Sequence, residues 1–266
     1  MKITVFTSNQ PRHINLINSL STIADAVFAL QEVKTIFPGE VDDSIKKTPL
    51  MKEYFSNVIK SEVKIFGNVK FTNDNVKSLS IKHGDLNKTK LSVLSDALKS
   101  DYYVVFGSSY IKGELIQFLV DNKAYNIHMG ISPYYRGSSC NFWAPFDRNP
   151  EFVGATIHML NKGLDSGDML YHALPKAIEH NAFDLGMEAA RVAHESIVYM
   201  LQSGKINQIQ PIAQDKSLQI RYSRRDEFTD EVAERYMCSL PTPKQIATKL
   251  RNRDLSKFLN PYIPNF

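Results

Sequence analysis

The apolar residues in the first 106 positions alternate between short runs and helical spacing. The short runs predict strands, and they cover residues 3–6, 24–30, 76–81 and 102–106. Helical spacing predicts helices over residues 14–20, 51–65 and 89–98, and the intervening polar stretch predicts a surface loop over residues 33–50. Because strands and helices alternate, we expect an α/β fold of the Rossmann-like kind, with a mostly parallel twisted sheet and helices on both faces.

The second half of the chain continues this pattern and then changes character. Strands are predicted over residues 153–160 and 169–174, and the longest helical pattern covers residues 183–201. Beyond Gly204 the sequence becomes polar and irregular, with several prolines. We therefore expect a main domain over residues 1–204 and a small C-terminal extension over residues 205–266.

Composition narrows the class of protein. The chain has 266 residues, 43% of them hydrophobic and 23% charged, which is typical of a folded globular protein. Its net charge of +4 is spread without a dense basic block, so no nucleic-acid partner is predicted. Two cysteines give neither a disulfide framework nor a CxxC metal motif, and we expect no metal. With no signal-peptide pattern and no long apolar run, we expect a cytoplasmic protein without a membrane partner.

The strongest chemical signal lies at the end of a predicted strand. Asn126 and His128 are two residues apart, which places their side chains on the same face of a strand. An amide and a protonated imidazole aimed at one point can stabilise an oxyanion, as acyl transfer requires. Asp165, in the turn over residues 164–168, supplies a carboxylate that could hold the imidazole protonated or accept its proton. A purely structural role, such as capping a loop, is the alternative for this pair.

Two segments resemble a known family. NIHMGISPYYRG, at residues 126–137, and GATIHMLNKGLDSGDML, at residues 154–170, resemble the formyltransferases that draw their formyl group from 10-formyltetrahydrofolate. The resemblance is clearest over residues 102–174 and implies that Asn126, His128 and Asp165 form the catalytic trio. Many relatives have Pro-Ser where this chain has Met129-Gly130, so the backbone of that loop is expected to differ.

The resemblance also implies a folate cleft beside the strand end at residues 105–111. It assigns folate contacts to Ser109, Tyr110 and Ile111, and to Asp168 in the turn after the trio's aspartate. Ordinary packing at a helix start is the alternative for Tyr110 and Ile111, and turn capping is the alternative for Asp168. The remaining histidines, His158 among them, and the pair Arg224-Arg225 show no ligand-like spacing and are predicted to have no direct role.

Comparison with the branches of this family reduces the number of candidate acceptor substrates. Methionyl-tRNA formyltransferases carry a larger C-terminal domain than residues 205–266 could form, and glycinamide ribonucleotide transformylases have a glycine-rich loop where residues 7–11 have no glycine. The segment over residues 222–225 resembles one in sugar N-formyltransferases. The resemblance thus implies a homodimer that formylates a nucleotide-linked amino sugar for surface polysaccharide synthesis, with 10-formyltetrahydrofolate as co-substrate. Formylation of another amine, hydrolysis of the folate, and folate binding without turnover remain open.

Overall fold

A seven-stranded sheet forms the centre of the protein. The computed structural model describes residues 1–33, 35–36, 40–41 and 48–264. Its strands are β1 (Lys2–Thr7), β2 (Ala26–Val33), β3 (Thr35–Ile36), β4 (Glu40–Val41), β5 (Val76–Lys82), β6 (Tyr102–Val105), β7 (Tyr125–His128), β8 (Tyr135–Gly137), β9 (Ala155–Met159), β10 (Met169–Ala173) and β11 (Arg221–Ser223). The large sheet has the order β10-β9-β7-β6-β1-β2-β5, while β3 pairs with β4 and β8 pairs with β11.

Helices connect or follow these strands in the part of the chain that the structure describes. They are α1 (Pro11–Ser21), α2 (Pro49–Phe66), α3 (Gly113–Asp121), α4 (Cys140–Phe146), α5 (Ala182–Gln202), α6 (Asp230–Ser239) and α7 (Pro243–Arg251). The predicted helices over residues 14–20, 51–65 and 183–201 are confirmed as α1, α2 and α5. The side chains of Thr48 and Asn181 cap α2 and α5 by accepting hydrogen bonds from backbone N–H groups of the first turn.

Two details differ from the sequence prediction. The helix predicted over residues 89–98 is wrong, because residues 85–99 form three short 3-10 turns, each of which buries one side chain: Leu86, Leu94 and Ala97. Serines in this segment favour turns over a continuous helix. The strand predicted at residues 76–81 is confirmed as β5, but it lies at the sheet edge and is largely exposed rather than in the core. Positions 34, 37–39 and 42–47 of the predicted surface loop lie outside the described residues.

The sheet is parallel over five strands and antiparallel at one side. β5, β2, β1, β6 and β7 run parallel, whereas β9 and β10 are antiparallel to their neighbours. The expected Rossmann-like, mostly parallel fold is therefore confirmed. Because the carboxyl ends of parallel strands meet at one edge, the loops after β2, β5, β6 and β7 gather there.

Residues after position 204 pack onto the rest of the protein. Tyr236, Ile246 and Phe258 share an apolar cluster with Tyr54 and Trp143. The strand β11 pairs with β8, and Ile212 and Tyr262 each form a bridge to β10. A boundary between residues 204 and 205 stays a prediction. In the part of the chain that the structure describes, no helix is both long and apolar enough to cross a membrane.

Candidate functional site

The strand β7 carries the two polar residues that the sequence singles out. Asn126 and His128 alternate along the strand with Ile127, so their side chains lie on one face as predicted. Both are largely buried, with only 9% and 6% of their surface exposed. A buried amide and a buried imidazole require specific partners, because an unpaired polar group is costly away from water.

The carboxylate of Asp165, which lies in the loop between β9 and β10, contacts both Asn126 and His128. Its Oδ2 lies 3.5 Å from Nδ1 of His128. Its Oδ1 accepts a hydrogen bond of 3.2 Å from Nδ2 of Asn126. The structure thus brings together the three residues that the sequence predicts as a trio.

The loop that carries Asp165 is fixed by its backbone. A Cβ built at Gly167 would lie 1.7 Å from the carbonyl oxygen of Met159, so only glycine fits at that position. The side chain of Gln214 donates to the carbonyl oxygens of Asp165, at 2.9 Å, and of Gly167, at 3.0 Å. Gln214 belongs to the predicted C-terminal extension, and no motif or spacing in the sequence indicates this contact.

His158 is a member of the site that sequence reasoning missed. It faces Asn126 directly across β7 and β9. Its Nδ1 donates to the carbonyl oxygen of Met159 at 2.8 Å, which leaves Nε2 as an acceptor for the Asn126 amide at 2.9 Å. Burial lowers the pKa of His158 to about 4, so the ring is neutral. The amide nitrogen of Asn126 is thereby directed toward Asp165.

The pKa of His128 is shifted in the opposite direction to that of His158. Burial alone lowers the pKa of His128, but the adjacent Cys140 sulfur and Asp165 carboxylate outweigh it and raise the pKa well above 6.5. Burial favours the neutral carboxyl of Asp165, yet its contact with His128 gives a net lowering of its pKa. Both shifts describe an imidazolium paired with a carboxylate, the state that can donate a hydrogen bond to an oxyanion.

The unusual Met129-Gly130 segment has a structural explanation. Cys140, at the start of α4, places its sulfur 3.5 Å from Nε2 of His128. A Cβ at Gly130 would lie 2.8 Å from that nitrogen and 2.5 Å from the Cβ of Cys140. Glycine at position 130 therefore makes room for the thiol beside the histidine.

A cleft of about 560 Å³ opens over these residues, and we call it the main cleft. It is formed by residues 105–111 on one side, by residues 158–165 on the other, and by Asn126 and His128 between them. Ser109, Tyr110 and Ile111 line it as predicted from the resemblance. Asp168 does not belong to the described lining; it is exposed, and its carbonyl oxygen accepts a hydrogen bond from Met159.

The predicted folate-contacting residues have partners of their own. The backbone N–H of Ser109 donates to Glu32 at 2.6 Å, and its hydroxyl donates to the same carboxylate at 2.9 Å. The hydroxyl of Tyr110 donates to the carbonyl oxygen of Lys162 across the mouth of the cleft. Ile111 is buried, with 4% of its surface exposed. Their roles toward folate stay predictions.

A second lobe adjoins the main cleft. It has a volume of about 290 Å³ and shares Phe106, Met129 and Ser139 with the main cleft. Arg12 lies in its wall together with aromatic side chains. Arg225, for which the sequence pattern predicts no direct role, is exposed and lies at the edge of the main cleft, because the pairing of β11 with β8 brings it there.

A larger cavity of about 790 Å³ lies elsewhere, between residues 148–152 and residues 241–258. It shares no residue with the main cleft, and it contains none of the trio. We assign the functional site to the smaller cleft, because convergent polar groups with shifted pKa values lie there. Among the described residues, no group of three or more His, Cys, Asp or Glu could hold a metal ion.

Solved structures of similar fold include several formyltransferases. One is the N-formyltransferase of Helicobacter canadensis in complex with folinic acid and dTDP-3-aminofucose, at 13% identity and a TM-score of 0.52, covering 88% of this chain and 79% of that one. Another is the phosphoribosylglycinamide formyltransferase of Anaplasma phagocytophilum, at 16% identity and a TM-score of 0.51, covering 84% and 98%. A third is the formyltransferase of Anoxybacillus kamchatkensis in complex with UDP-4,6-dideoxy-4-formamido-L-AltNAc and tetrahydrofolate, at 13% identity and a TM-score of 0.50, covering 94% and 100%. At these identities the likeness shows the fold.

Sequence comparison identifies the family. Methionyl-tRNA formyltransferase of Trichormus variabilis is 29% identical over 133 residues, which are 50% of this chain and 38% of that protein. The corresponding protein of Anaeromyxobacter sp. strain K is 32% identical over 45% of this chain and 38% of its own length. The chain thus matches less than half the length of these curated relatives. The sequence profile of the formyl transferase family matches residues 57–201, which is more than half of the chain and includes all of the trio. The chain belongs to the formyl transferase family.

Proposed function

We propose that this protein transfers a formyl group from 10-formyltetrahydrofolate to the amine of a nucleotide-linked amino sugar. The observation that carries the proposal is the assembly of Asn126, His128 and Asp165 at the base of the main cleft. A raised pKa on His128 and a lowered pKa on Asp165 give the cleft a hydrogen-bond donor and a proton acceptor side by side. Formyl transfer needs both groups.

The chemistry follows from these positions. A neutral substrate amine attacks the formyl carbon, a C–N bond forms, and the carbonyl oxygen becomes an oxyanion. The imidazolium of His128 donates to that oxygen through Nε2, the nitrogen that lies 3.5 Å from the Cys140 sulfur. The amide of Asn126 supplies the second donor by exchanging its longer hydrogen bond, 3.2 Å to Asp165, for one to the oxyanion.

Collapse of the intermediate completes the transfer. The bond between the formyl carbon and N10 of the folate breaks, and the folate leaves as tetrahydrofolate. The proton lost by the amine passes to the leaving nitrogen through Asp165, directly or by way of water.

The dimensions and lining of the main cleft are compatible with a folate. Its volume of about 560 Å³ lies in the range of pockets that hold small molecules. Two segments, residues 105–111 and residues 158–165, line it from two sides, and we place the pterin between them. Folinic acid and tetrahydrofolate are the folates bound by the Helicobacter canadensis and Anoxybacillus kamchatkensis proteins.

The second lobe supports a nucleotide-linked acceptor. It opens beside His128 through Met129 and Ser139, so an amine held there would approach a formyl group held in the main cleft. Arg12, whose guanidinium also pairs with the buried Glu62 at 2.8 Å, lies in this lobe, and the exposed Arg225 lines the main cleft; these are the two arginines that we assign to phosphate groups. The two solved neighbours just named bind nucleotide-linked sugars. A homodimer and a role in surface polysaccharide synthesis remain further parts of this proposal.

The proposal is tested with purified protein and 10-formyltetrahydrofolate. The acceptor panel contains dTDP- and UDP-linked amino sugars, glycinamide ribonucleotide and methionyl-tRNA, with one reaction that lacks any amine. Release of tetrahydrofolate is followed together with the mass of the acceptor. Formylation of a nucleotide-linked amino sugar is the expected result.

Any other result of this assay points to a different acceptor or a different reaction. Formylation of methionyl-tRNA or glycinamide ribonucleotide alone would contradict the proposed acceptor while keeping the chemistry. Release of folate without an amine would mean hydrolysis. No release under any condition would contradict formyl transfer, provided that the protein is shown to be folded.

A further inference from the structure

A buried carboxylate lies beneath one wall of the main cleft. Glu32, at the carboxyl end of β2, has 1% of its surface exposed. Its Oε2 accepts from the backbone N–H of Ser109 at 2.6 Å, and its Oε1 accepts from the Ser109 hydroxyl at 2.9 Å and from the backbone N–H of Gly84 at 2.8 Å. His83 lies 3.6 Å from Oε2 through its Nδ1. One carboxylate thus joins the turn after β5 to the loop after β6.

The Glu32 carboxylate needs these hydrogen bonds because it is buried away from water. A buried carboxylate is tolerated when several donors surround it, and backbone N–H groups fixed by the fold are among the strongest. Glu32 is outside the described lining of the main cleft, so it does not reach a molecule bound there. Its influence on the cleft passes through Ser109.

The loop over residues 107–112 is held at a second point. The side chain of Asn87 donates to the carbonyl oxygen of Tyr110 at 2.9 Å and accepts from the backbone N–H of Lys112 at 2.7 Å. Both donors of Ser109 are already directed to Glu32. Because the carbonyl oxygen and the hydroxyl of Tyr110 also have protein partners, ligand contacts on this side of the cleft fall to the neighbouring backbone and to the ring of Tyr110. The contact of Ser109 with Glu32 sets the positions of both.

We infer that Glu32 is a positioning residue for the folate-binding wall of the main cleft. This inference rests on the proposed function, because it takes the loop over residues 105–111 as the folate side. Glu32 fixes the orientation of the peptide at Ser109, and with it the groups that face the pterin. A change at Glu32 should weaken the binding of folate and leave the chemistry at the trio intact.

Replacement of Glu32 by glutamine tests this inference with a minimal change of shape. Whichever way the new amide is turned, its NH2 group faces a backbone N–H, either that of Ser109 or that of Gly84, and donor meets donor. The Glu32→Gln variant should raise KM for 10-formyltetrahydrofolate about tenfold, with kcat and KM for the amine each within about threefold of wild type. Glu32→Asp, which keeps the charge, should give an intermediate KM and also serves if the glutamine variant does not fold.

Glu188→Gln is the matched control. Glu188 is also buried, at 6% exposure, but it pairs with Arg191 on α5 and is outside the described lining of the main cleft. Its substitution should leave KM for the folate unchanged. A fall in kcat at unchanged folate KM in the Glu32 variants would overturn the positioning role.

Hydrogen exchange separates this inference from the proposed function. In the full-length protein without ligand, the amide of Ser109 should exchange faster in Glu32→Gln than in wild type, whatever the enzyme's activity. If exchange accelerates but wild-type protein neither binds nor uses the folate, the proposed function fails while the anchor stands. If exchange at residues 107–111 and the folate KM both remain at wild-type values, Glu32 is not a positioning residue.

Discussion

The amide nitrogen of Asn126 donates to Nε2 of His158 at 2.9 Å, and the two residues are direct partners across the antiparallel pair β7 and β9. Since Nδ1 of His158 is occupied by the carbonyl oxygen of Met159, this hydrogen bond can have only one direction. The neutral histidine thereby fixes which end of the Asn126 side chain is nitrogen. The amide of Asn126 is thus held with its nitrogen toward His158 and Asp165, the orientation that the proposed mechanism requires.

Loss of His158 should therefore affect turnover more than binding. In His158→Asn the Asn126 amide loses its orienting acceptor, and we expect kcat to fall by about 10- to 100-fold while both KM values change little. Steady-state kinetics with both substrates measure this split. His194→Asn is the control, because His194 is equally buried but is outside the cleft lining; a comparable loss of kcat in that variant would contradict the role of His158.

Asp165 should control the pH at which activity is lost. In the proposed mechanism His128 acts as the imidazolium, so kcat should decline as pH rises through its raised pKa. In Asp165→Asn the supporting charge is absent, the pKa of His128 falls, and the decline should move to lower pH, with kcat at neutral pH reduced about 100-fold or more. A kcat profile between about pH 6 and pH 9 measures the shift. An unchanged pH profile of kcat in Asp165→Asn would show that His128 does not act in its charged form. Asp215→Asn is the control, because Asp215 is exposed and is outside the cleft lining.

The turn after Asp165 should tolerate no side chain at position 167. Because a Cβ there would lie 1.7 Å from the carbonyl oxygen of Met159, Gly167→Ala should reduce the free energy of unfolding by about 1–3 kcal/mol and displace Asp165. In Gly186→Ala, within α5, the new Cβ meets nothing within 4 Å, so that variant should gain about 0.5–1 kcal/mol. Urea denaturation compares the two. Equal stabilities would contradict the packing described for Gly167.

Stability should fall in mild acid because buried histidines must take up protons on unfolding. Burial lowers the pKa of His13, His158, His172 and His194, and His158 and His172 illustrate the size of the effect. Burial lowers the pKa values of His158 and His172 to about 4, whereas the unfolded chain takes up those protons near pH 6.5. Their contribution is complete above pH 6.5 and is lost as pH falls toward 4, which amounts to about 2 kcal/mol for each residue between about pH 7 and pH 5. His128 has the opposite sign, but its contribution changes mainly above pH 6.5.

Urea denaturation at the two pH values measures this effect. The His172→Gln variant should show a smaller dependence on pH, by about one proton, because His172 no longer titrates in the unfolded chain. A stability that is flat between about pH 7 and pH 5 in the wild-type protein would contradict the neutral state assigned to the buried rings.

Hydrophobic pattern and motif spacing predicted the elements that depend on local sequence. The strands β1, β6, β7 and β10 and the helix α5 follow from their own residues, as does the shared face of Asn126 and His128. Contacts between distant segments could not be predicted this way. The contact of His158 with Asn126 depends on the register of β9 against β7. The contacts of Glu32 depend on the sheet order, which brings the carboxyl ends of β2, β5 and β6 to one edge of the sheet. Arg225 and Gln214 reach the site through the packing of residues after position 204, which no local pattern encodes.

The most direct test of the account is formyl transfer by wild-type protein and by His128→Asn under identical conditions. The acceptor is the best nucleotide-linked amino sugar of the panel, and His180→Asn, a half-buried histidine outside the cleft lining, is the control. The account predicts one added formyl group on the acceptor and one tetrahydrofolate released by wild type and by the control, with the rate reduced by about 100-fold or more in His128→Asn. Transfer by a folded His128→Asn variant at the wild-type rate would contradict the assignment of the trio.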